Sequence, residues 1–183
     1  MIRAIITDFD GTLVDTFEAN YGAYSEAFAK VGLTLTAERY RECFGLRFAE
    51  FMKAMGIHDE ATASQIRKVK GDVYPNHFDK LRPNTALIEF IRTSRAQGIH
   101  TAVASTARSK NLMNALAHIN ALDAFDYILA GEDVQNGKPN PEIYNKVLAH
   151  FGIHPSEALI FEDSPVGMQA AEAAGINYIK VTL

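Results

Sequence analysis

The 183-residue sequence predicts an α/β protein built on a parallel sheet and interrupted by a helical insertion. Three observations carry that expectation. Residues 2–7, IRAIIT, form a short apolar run that ends at once in Asp8-Phe9-Asp10-Gly11-Thr12, the texture of a buried strand entering a glycine-containing loop. After Arg82-Pro83, strand-like and helix-like segments alternate to the end of the chain. Between them, residues 15–82 repeat apolar side chains at helical spacing, and nothing there reads convincingly as a strand. The expected division is 1–14 with 83–183 as the sheet-bearing part, and 15–82 as the insertion.

Each element follows from local pattern. Phe17, Tyr21, Tyr24, Phe28 and Val31 recur at spacings of three and four, one face of a helix over 16–31. Phe48, Phe51, Met52 and Met55 repeat this in a second helix closed by Gly56, and a more polar third covers 61–80. Helix 84–97 opens on Asn84 and stops at Gly98. Strand 99–104, helix 109–119 with Leu112, Leu116 and Ile119, and a short strand at 127–130 follow. Helix 141–150 has Asn140 as its cap and Pro141 in its first turn. Strand 158–161 precedes helix 165–174, which has Ser164 as cap and Gly175 past its end, and the last strand is 177–181.

Composition excludes several classes. At 48% hydrophobic and 22% charged residues the chain is not intrinsically disordered. Mean hydropathy is −0.07, and no apolar run approaches the ~20 residues that span a bilayer. The N-terminal apolar stretch meets Asp8 too early for a signal peptide. The single cysteine, Cys43, allows no internal disulfide and fits a reducing compartment. A net charge of −4 lacks the basic surplus of a general nucleic-acid binder. The expectation is a soluble, cytoplasmic protein with no nucleic-acid or membrane partner. Ten Lys/Arg balance ten Asp/Glu in 15–82, so the remainder carries the whole negative charge. Asp8, Asp10, Glu162 and Asp163 all fall just beyond strand ends, where open parallel sheets bind ligands. Carboxylates gathered there call for a cation.

Four segments carry chemistry. In extended backbone Asp8 and Asp10 project to one side, and two carboxylates that close must share a proton or a metal. Gly11 permits a sharp turn, and Thr12 offers a hydroxyl and an amide to an anion. A calcium loop would need oxygen ligands at alternate positions, which Leu13 and Val14 interrupt. Ser105, at the end of strand 99–104, reads equally as a helix cap, and no Gly-x-Ser-x-Gly elbow surrounds it. Gly137-Lys138-Pro139-Asn140-Pro141 is not a P-loop, because no Ser or Thr follows the lysine, but Lys138 suits a phosphate as a point charge. Phe161-Glu162-Asp163-Ser164-Pro165 places adjacent acids after a strand; a helix cap with dipole-favouring acids is the other reading.

Taken together, these segments resemble the four ordered motifs of the haloacid dehalogenase (HAD) superfamily, across essentially the whole chain. Asp8-Phe-Asp-Gly-Thr-Leu-Val-Asp15-Thr16, Gly137-Lys-Pro-Asn-Pro and Phe161-Glu-Asp-Ser-Pro-Val-Gly resemble its phosphoglycolate phosphatase and β-phosphoglucomutase branch. The resemblance implies a three-layer, Rossmann-like core, with 15–82 as a helical cap that governs specificity. It implies Asp8 as nucleophile forming an aspartyl-phosphate and Asp10 as general acid and base. Haloacid dehalogenases proper lack an acid at the position of Asp10, so its presence points to phosphoryl transfer. Magnesium (Mg2+) would be bound by Asp8, the backbone carbonyl of Asp10 and Asp163, with Glu162 a further contributor. Gly11, Thr12, Ser105, Thr106 and Lys138 would hold the phosphate.

The implied function is Mg2+-dependent hydrolysis of a small phosphomonoester, a sugar phosphate or small organic phosphate. A β-phosphoglucomutase-type phosphomutase and a non-catalytic phospho-ligand sensor are the alternatives. Substrate contacts in such a cap would come from Thr16, Asn20, Tyr24, Gly45 and Arg47, and from Arg108 in the loop after Ser105. Tyr24 also belongs to the Phe17–Val31 stripe, where it would simply be core, and Arg47 and Arg108 read equally as solvated side chains. Asn20 stands where the mutase pattern has a histidine. His150 and His154 are separated by Gly152, which argues against a shared metal site. The chain ends at Leu183 directly after its last strand, so one sheet edge should be less covered, and a monomer or weak homodimer is expected.

Overall fold

A computed structural model describes all residues, Met1–Leu183. The chain forms two compact units, Met1–Asp15 with Arg82–Leu183, and Thr16–Leu81.

The first unit is built on five parallel strands, β1 (Ala4–Thr7), β4 (His100–Ala104), β5 (Tyr127–Leu129), β6 (Ala158–Glu162) and β7 (Asn177–Lys180), in the order β5-β4-β1-β6-β7. A two-residue antiparallel ladder, β2 (Val14–Asp15) with β3 (Arg82–Pro83), completes the strands. Helices α5 (Thr85–Ala96), α6 (Ser109–His118), α7 (Glu142–Phe151) and α8 (Pro165–Ala173) connect the main strands. One core cluster joins Ala4, Ile6, Ala102, Ala104 and Ile160 of the sheet to Tyr144 and Val147 of α7 and Ala170 and Ala171 of α8. Alternate strand residues such as Ile5 and Val103 are also buried, the mark of a sheet covered on both faces. The helix starts are read out locally. Asn84 Oδ1 accepts from Leu87 N (3.2 Å), and Ser164 Oγ accepts from Gly167 N (3.1 Å).

The second unit is helical: α1 (Phe17–Ala29), α2 (Ala37–Cys43), α3 (Phe48–Ala54), α4 (Glu60–Val73) and a 3-10 turn over Tyr74–Lys80. Its core joins Ala27, Phe28, Leu35, Tyr40, Phe51, Met52 and Ile66. No helix of the protein is long and apolar enough to cross a membrane.

Three differences from the sequence reading have physical causes. The helix expected over 61–80 ends at Val73, because Pro75 has no amide to donate and its ring clashes with the preceding turn. Seven-residue α2 was not expected; it is too short to show a full periodic stripe. Asp15 and Arg82 belong with the sheet-bearing unit, where they pair in the β2–β3 ladder.

Candidate active site

Three strand ends meet at one level. Thr7 is in register with Val103 of β4 and Phe161 of β6, and Asp8 N donates to the Phe161 carbonyl (3.0 Å). Asp8, Ser105 and the Glu162-Asp163 pair therefore leave the sheet side by side at its carboxyl edge.

The loop after β1 turns tightly. Leu13 N and Val14 N both donate to the Phe9 carbonyl (3.1 and 3.0 Å), and Gly11 has φ +85°. A Cβ at Gly11 would lie 2.4 Å from Asp163 Oδ2, so only glycine lets the loop approach that carboxylate. Thr12 is fully buried, and its hydroxyl donates to Asp163 Oδ1 (2.7 Å). Two groups expected at the phosphate have partners within the protein. The Gly11 amide donates to the Val14 carbonyl (2.8 Å), closing the turn rather than facing an anion. The Thr12 hydroxyl orients Asp163, which leaves the Thr12 amide as the group expected to face phosphate.

Lys138 is the centre of the cluster. Its side chain is buried, and Nζ donates to Asp8 Oδ1 (2.6 Å) and Glu162 Oε1 (2.8 Å). Its peptide bond to Pro139 is cis. Glu162 is wholly buried, and its other oxygen accepts from Ser164 N (2.7 Å) and Ser164 Oγ (3.0 Å). Gly167 makes room for it, since a Cβ there would lie 1.6 Å from Oε1. Glu162, expected as a further cation ligand, thus has its carboxylate divided between Lys138 and Ser164. It is a positioning group for the lysine.

Burial pushes the Asp8 carboxyl up to about 8, against the pull of Lys138, with Glu162 and Asp10 adding to the rise. Burial also raises Asp163, opposed by the Thr12 hydroxyl. Burial disfavours the Lys138 ammonium, yet Asp8 and Glu162 hold it well above the ordinary lysine value, so it stays charged.

Ser105 is buried, and its Oγ accepts from Ala107 N (3.0 Å). The loop it begins is stitched to the chain after β5: Gly131 N donates to the Ala107 carbonyl (2.8 Å), and a Cβ at Gly131 would lie 2.5 Å from the Thr106 carbonyl oxygen. Thr106 itself is exposed. Arg108 is exposed and pairs with Glu132 (3.0 Å).

The donor set fits a hard divalent cation. Buried Asp8 and half-buried Asp163 are the acids there whose oxygens are not both engaged, and Gly11 lets the Asp8 loop come close to the Asp163 carboxylate. No group of three His, Cys, Asp or Glu side chains is placed to hold a metal ion by itself. An ion held there would have to draw most of its shell from backbone oxygen and water, which Mg2+ tolerates.

The insertion's candidates are placed within their own unit. Thr16 is buried just before α1, and its carbonyl accepts from the buried Asn20 (2.9 Å). Tyr24 is half-buried, with its ring 5.6 Å from Tyr40 and 5.0 Å from Phe51 and with Lys70 over its face (5.2 Å). It belongs to the aromatic core stripe. Gly45 and Arg47 are exposed between α2 and α3, Gly45 with φ +87°.

The sequence reading missed Tyr144, the fully buried tyrosine of α7 whose ring centroid lies 5.1 Å from Lys138 Nζ. Its helical register marks it only as core; nothing local signals a lysine above it.

A parallel sheet with a buried lysine–carboxylate cluster at its carboxyl edge is the arrangement of an α/β enzyme. The family model of haloacid dehalogenase-like hydrolases matches residues 5–181, and the chain belongs to that family. It is 30% identical to a phosphorylated carbohydrates phosphatase of Thermotoga maritima, over 97% of this chain and 84% of that one. It is 33% identical to protein CbbY of Rhodobacter capsulatus, again over 97% of this chain and 84% of that protein. The crystal structure of CbbY from Rhodobacter sphaeroides in complex with phosphate superposes with a TM-score of 0.87 at 30% identity, covering 100% of this chain and 87% of that one.

Proposed function

We propose that this chain, a phosphatase of the haloacid dehalogenase-like family, hydrolyses a small sugar phosphate or similar phosphomonoester through an aspartyl-phosphate on Asp8. The observation that carries the reading is the buried Lys138 ammonium bridging Asp8 and Glu162 at the sheet's carboxyl edge. A relative named for phosphorylated carbohydrates supports the substrate class. The phosphomutase alternative is not favoured, since that relative is a phosphatase.

Asp8 attacks the phosphorus in line, and the P–O bond to the leaving alcohol breaks as the acyl phosphate forms. Asp10 gives its proton to that alcohol, then takes one from the water that cleaves the intermediate and returns Asp8 as a carboxylate. Lys138 and the Ser105 hydroxyl hold equatorial phosphoryl oxygens, where charge spreads in the transition state. Asp8, the Asp10 carbonyl and Asp163 would hold Mg2+, while Thr12 keeps Asp163 in place. Bound there, the ion screens the mutual repulsion of carboxylate and phosphate. Insertion residues Thr16, Asn20, Gly45 and Arg47, with Arg108, are the proposed contributors to substrate choice.

The test is phosphate release from a panel of phosphorylated metabolites, phosphoglycolate and β-glucose 1-phosphate included, with and without Mg2+. Turnover should require the metal and fall by at least about four orders of magnitude in Asp8→Asn. Release that persists in Asp8→Asn, or none from any panel member, would sink the proposal. Isomerisation primed by a sugar bisphosphate would turn it toward the mutase.

A further inference from the structure

The buried residues of α7 are Ile143, Tyr144, Val147 and Leu148, so Tyr144 contributes the only side-chain hydroxyl of that face. Its hydroxyl is sealed from solvent and has no hydrogen bond of proper geometry, although Lys138 acts on it at close range. A phenylalanine would fill nearly the same space without burying an unsatisfied group, so the hydroxyl is a liability in the resting protein.

The charges around Lys138 explain what could redeem it. At rest the ammonium donates to Asp8 Oδ1 and Glu162 Oε1. When Asp8 accepts the phosphoryl group, its carboxylate becomes an acyl phosphate and the oxygen facing Lys138 loses most of its negative charge. Glu162 and a phosphoryl oxygen then take two of the ammonium's three protons, and the third needs an acceptor on the protein side to keep Nζ in place.

We propose that Tyr144 is a positioning residue for Lys138, its hydroxyl accepting a hydrogen bond from the ammonium once phosphoryl transfer takes Asp8 out of the ion pair. The inference rests on Asp8 as the nucleophile. It requires no movement of α7, only a turn of the lysine side chain above a ring already 5.1 Å from Nζ.

Tyr144→Phe separates this role from packing. The variant should keep or raise its thermal midpoint, because an unpaired buried hydroxyl is gone, while kcat falls about tenfold with KM little changed. Magnesium with beryllium fluoride, a mimic of the phosphorylated carboxylate, supplies a readout independent of turnover. Calorimetry should show it binding Tyr144→Phe about tenfold more weakly than wild type, with inorganic phosphate and Mg2+ binding both alike. An unchanged kcat and unchanged beryllium fluoride affinity would overturn the inference. So would a thermal midpoint falling in step with kcat, since that marks a packing role. A wild-type protein that neither turns over nor binds beryllium fluoride would instead refute Asp8 as the nucleophile, and this inference with it.

Discussion

In the sheet-bearing unit Asp8, Lys138 and Glu162 lie at 8%, 5% and 0% exposure. In the insertion, no charged residue is buried. There the interior is Phe28, Tyr40, Phe51, Met52 and Ile66, and the cations stay at its rim, lying over ring faces: Arg41 over Phe17, Arg67 over Phe48, Lys70 over Tyr24 and Tyr74. Burying ions is unfavourable unless each finds a partner, whereas aromatic packing is favourable without any electrostatic match. The first unit thus concentrates its costly buried charge at the carboxyl edge of its sheet. The second keeps its charges at the surface and fills its interior with apolar and aromatic side chains.

The strongest way to break that contrast is Lys138→Met. It leaves Asp8 and Glu162 buried without a cation, so urea unfolding should show a loss of about 3–5 kcal/mol. Phosphate release should fall by about two to three orders of magnitude. A variant as stable as wild type at neutral pH would mean the two acids are not held by the lysine.

Phe51→Ala is the matched test in the insertion. It opens a cavity among Tyr24, Phe28 and Tyr40 and should lower stability by about 3 kcal/mol. The kcat of the folded fraction should change far less than in Lys138→Met. Comparable kcat losses in the two variants would erase the distinction between the units.

The smallest effect is a pH slope that sharpens the comparison. Asp8 titrates near 8 in the folded, metal-free protein against 3.8 for an ordinary aspartate. The native state therefore holds more protons than the unfolded state between those values. The stability this contributes is complete below about pH 4 and is lost as pH rises toward 8. Asp163, also raised, adds in the same direction. Thermal unfolding in EDTA should show the wild-type midpoint falling by a few degrees from pH 5 to pH 8.5. Asp8→Asn should flatten that slope and be the more stable protein at the alkaline end, because Lys138 and Glu162 then form a one-to-one pair. A wild-type slope of opposite sign would contradict the cause assigned to the Asp8 shift.

Much of this was legible in the residues themselves. IRAIIT running into Asp8-Phe-Asp-Gly-Thr, Ser105 at the end of an apolar run and Glu162-Asp163 at the end of another are local signals, because a strand's burial and its polar exit are written in adjacent residues. The β2–β3 ladder was not legible, since strands of two residues have no periodicity to show. Nor was the role of Glu162. A pair of acids before a helix reads the same whether it holds a metal or a lysine.

The sequence by itself determined the alternation of strands and helices, the helical insertion and the residue types delivered to each strand end. Those depend on periodicity, capping and turn chemistry over a few neighbours. Only the tertiary structure decided how the delivered groups divide their work. It placed Lys138 between Asp8, 130 positions away, and Glu162, 24 positions away. It turned the Gly11 amide into a turn closure and the Thr12 hydroxyl into a support for Asp163. It also buried the Tyr144 hydroxyl without a hydrogen bond. Hydrogen bonds and ion pairs act over about 3 Å, and which groups come that close is set by strand order and register, which no local stretch of sequence contains.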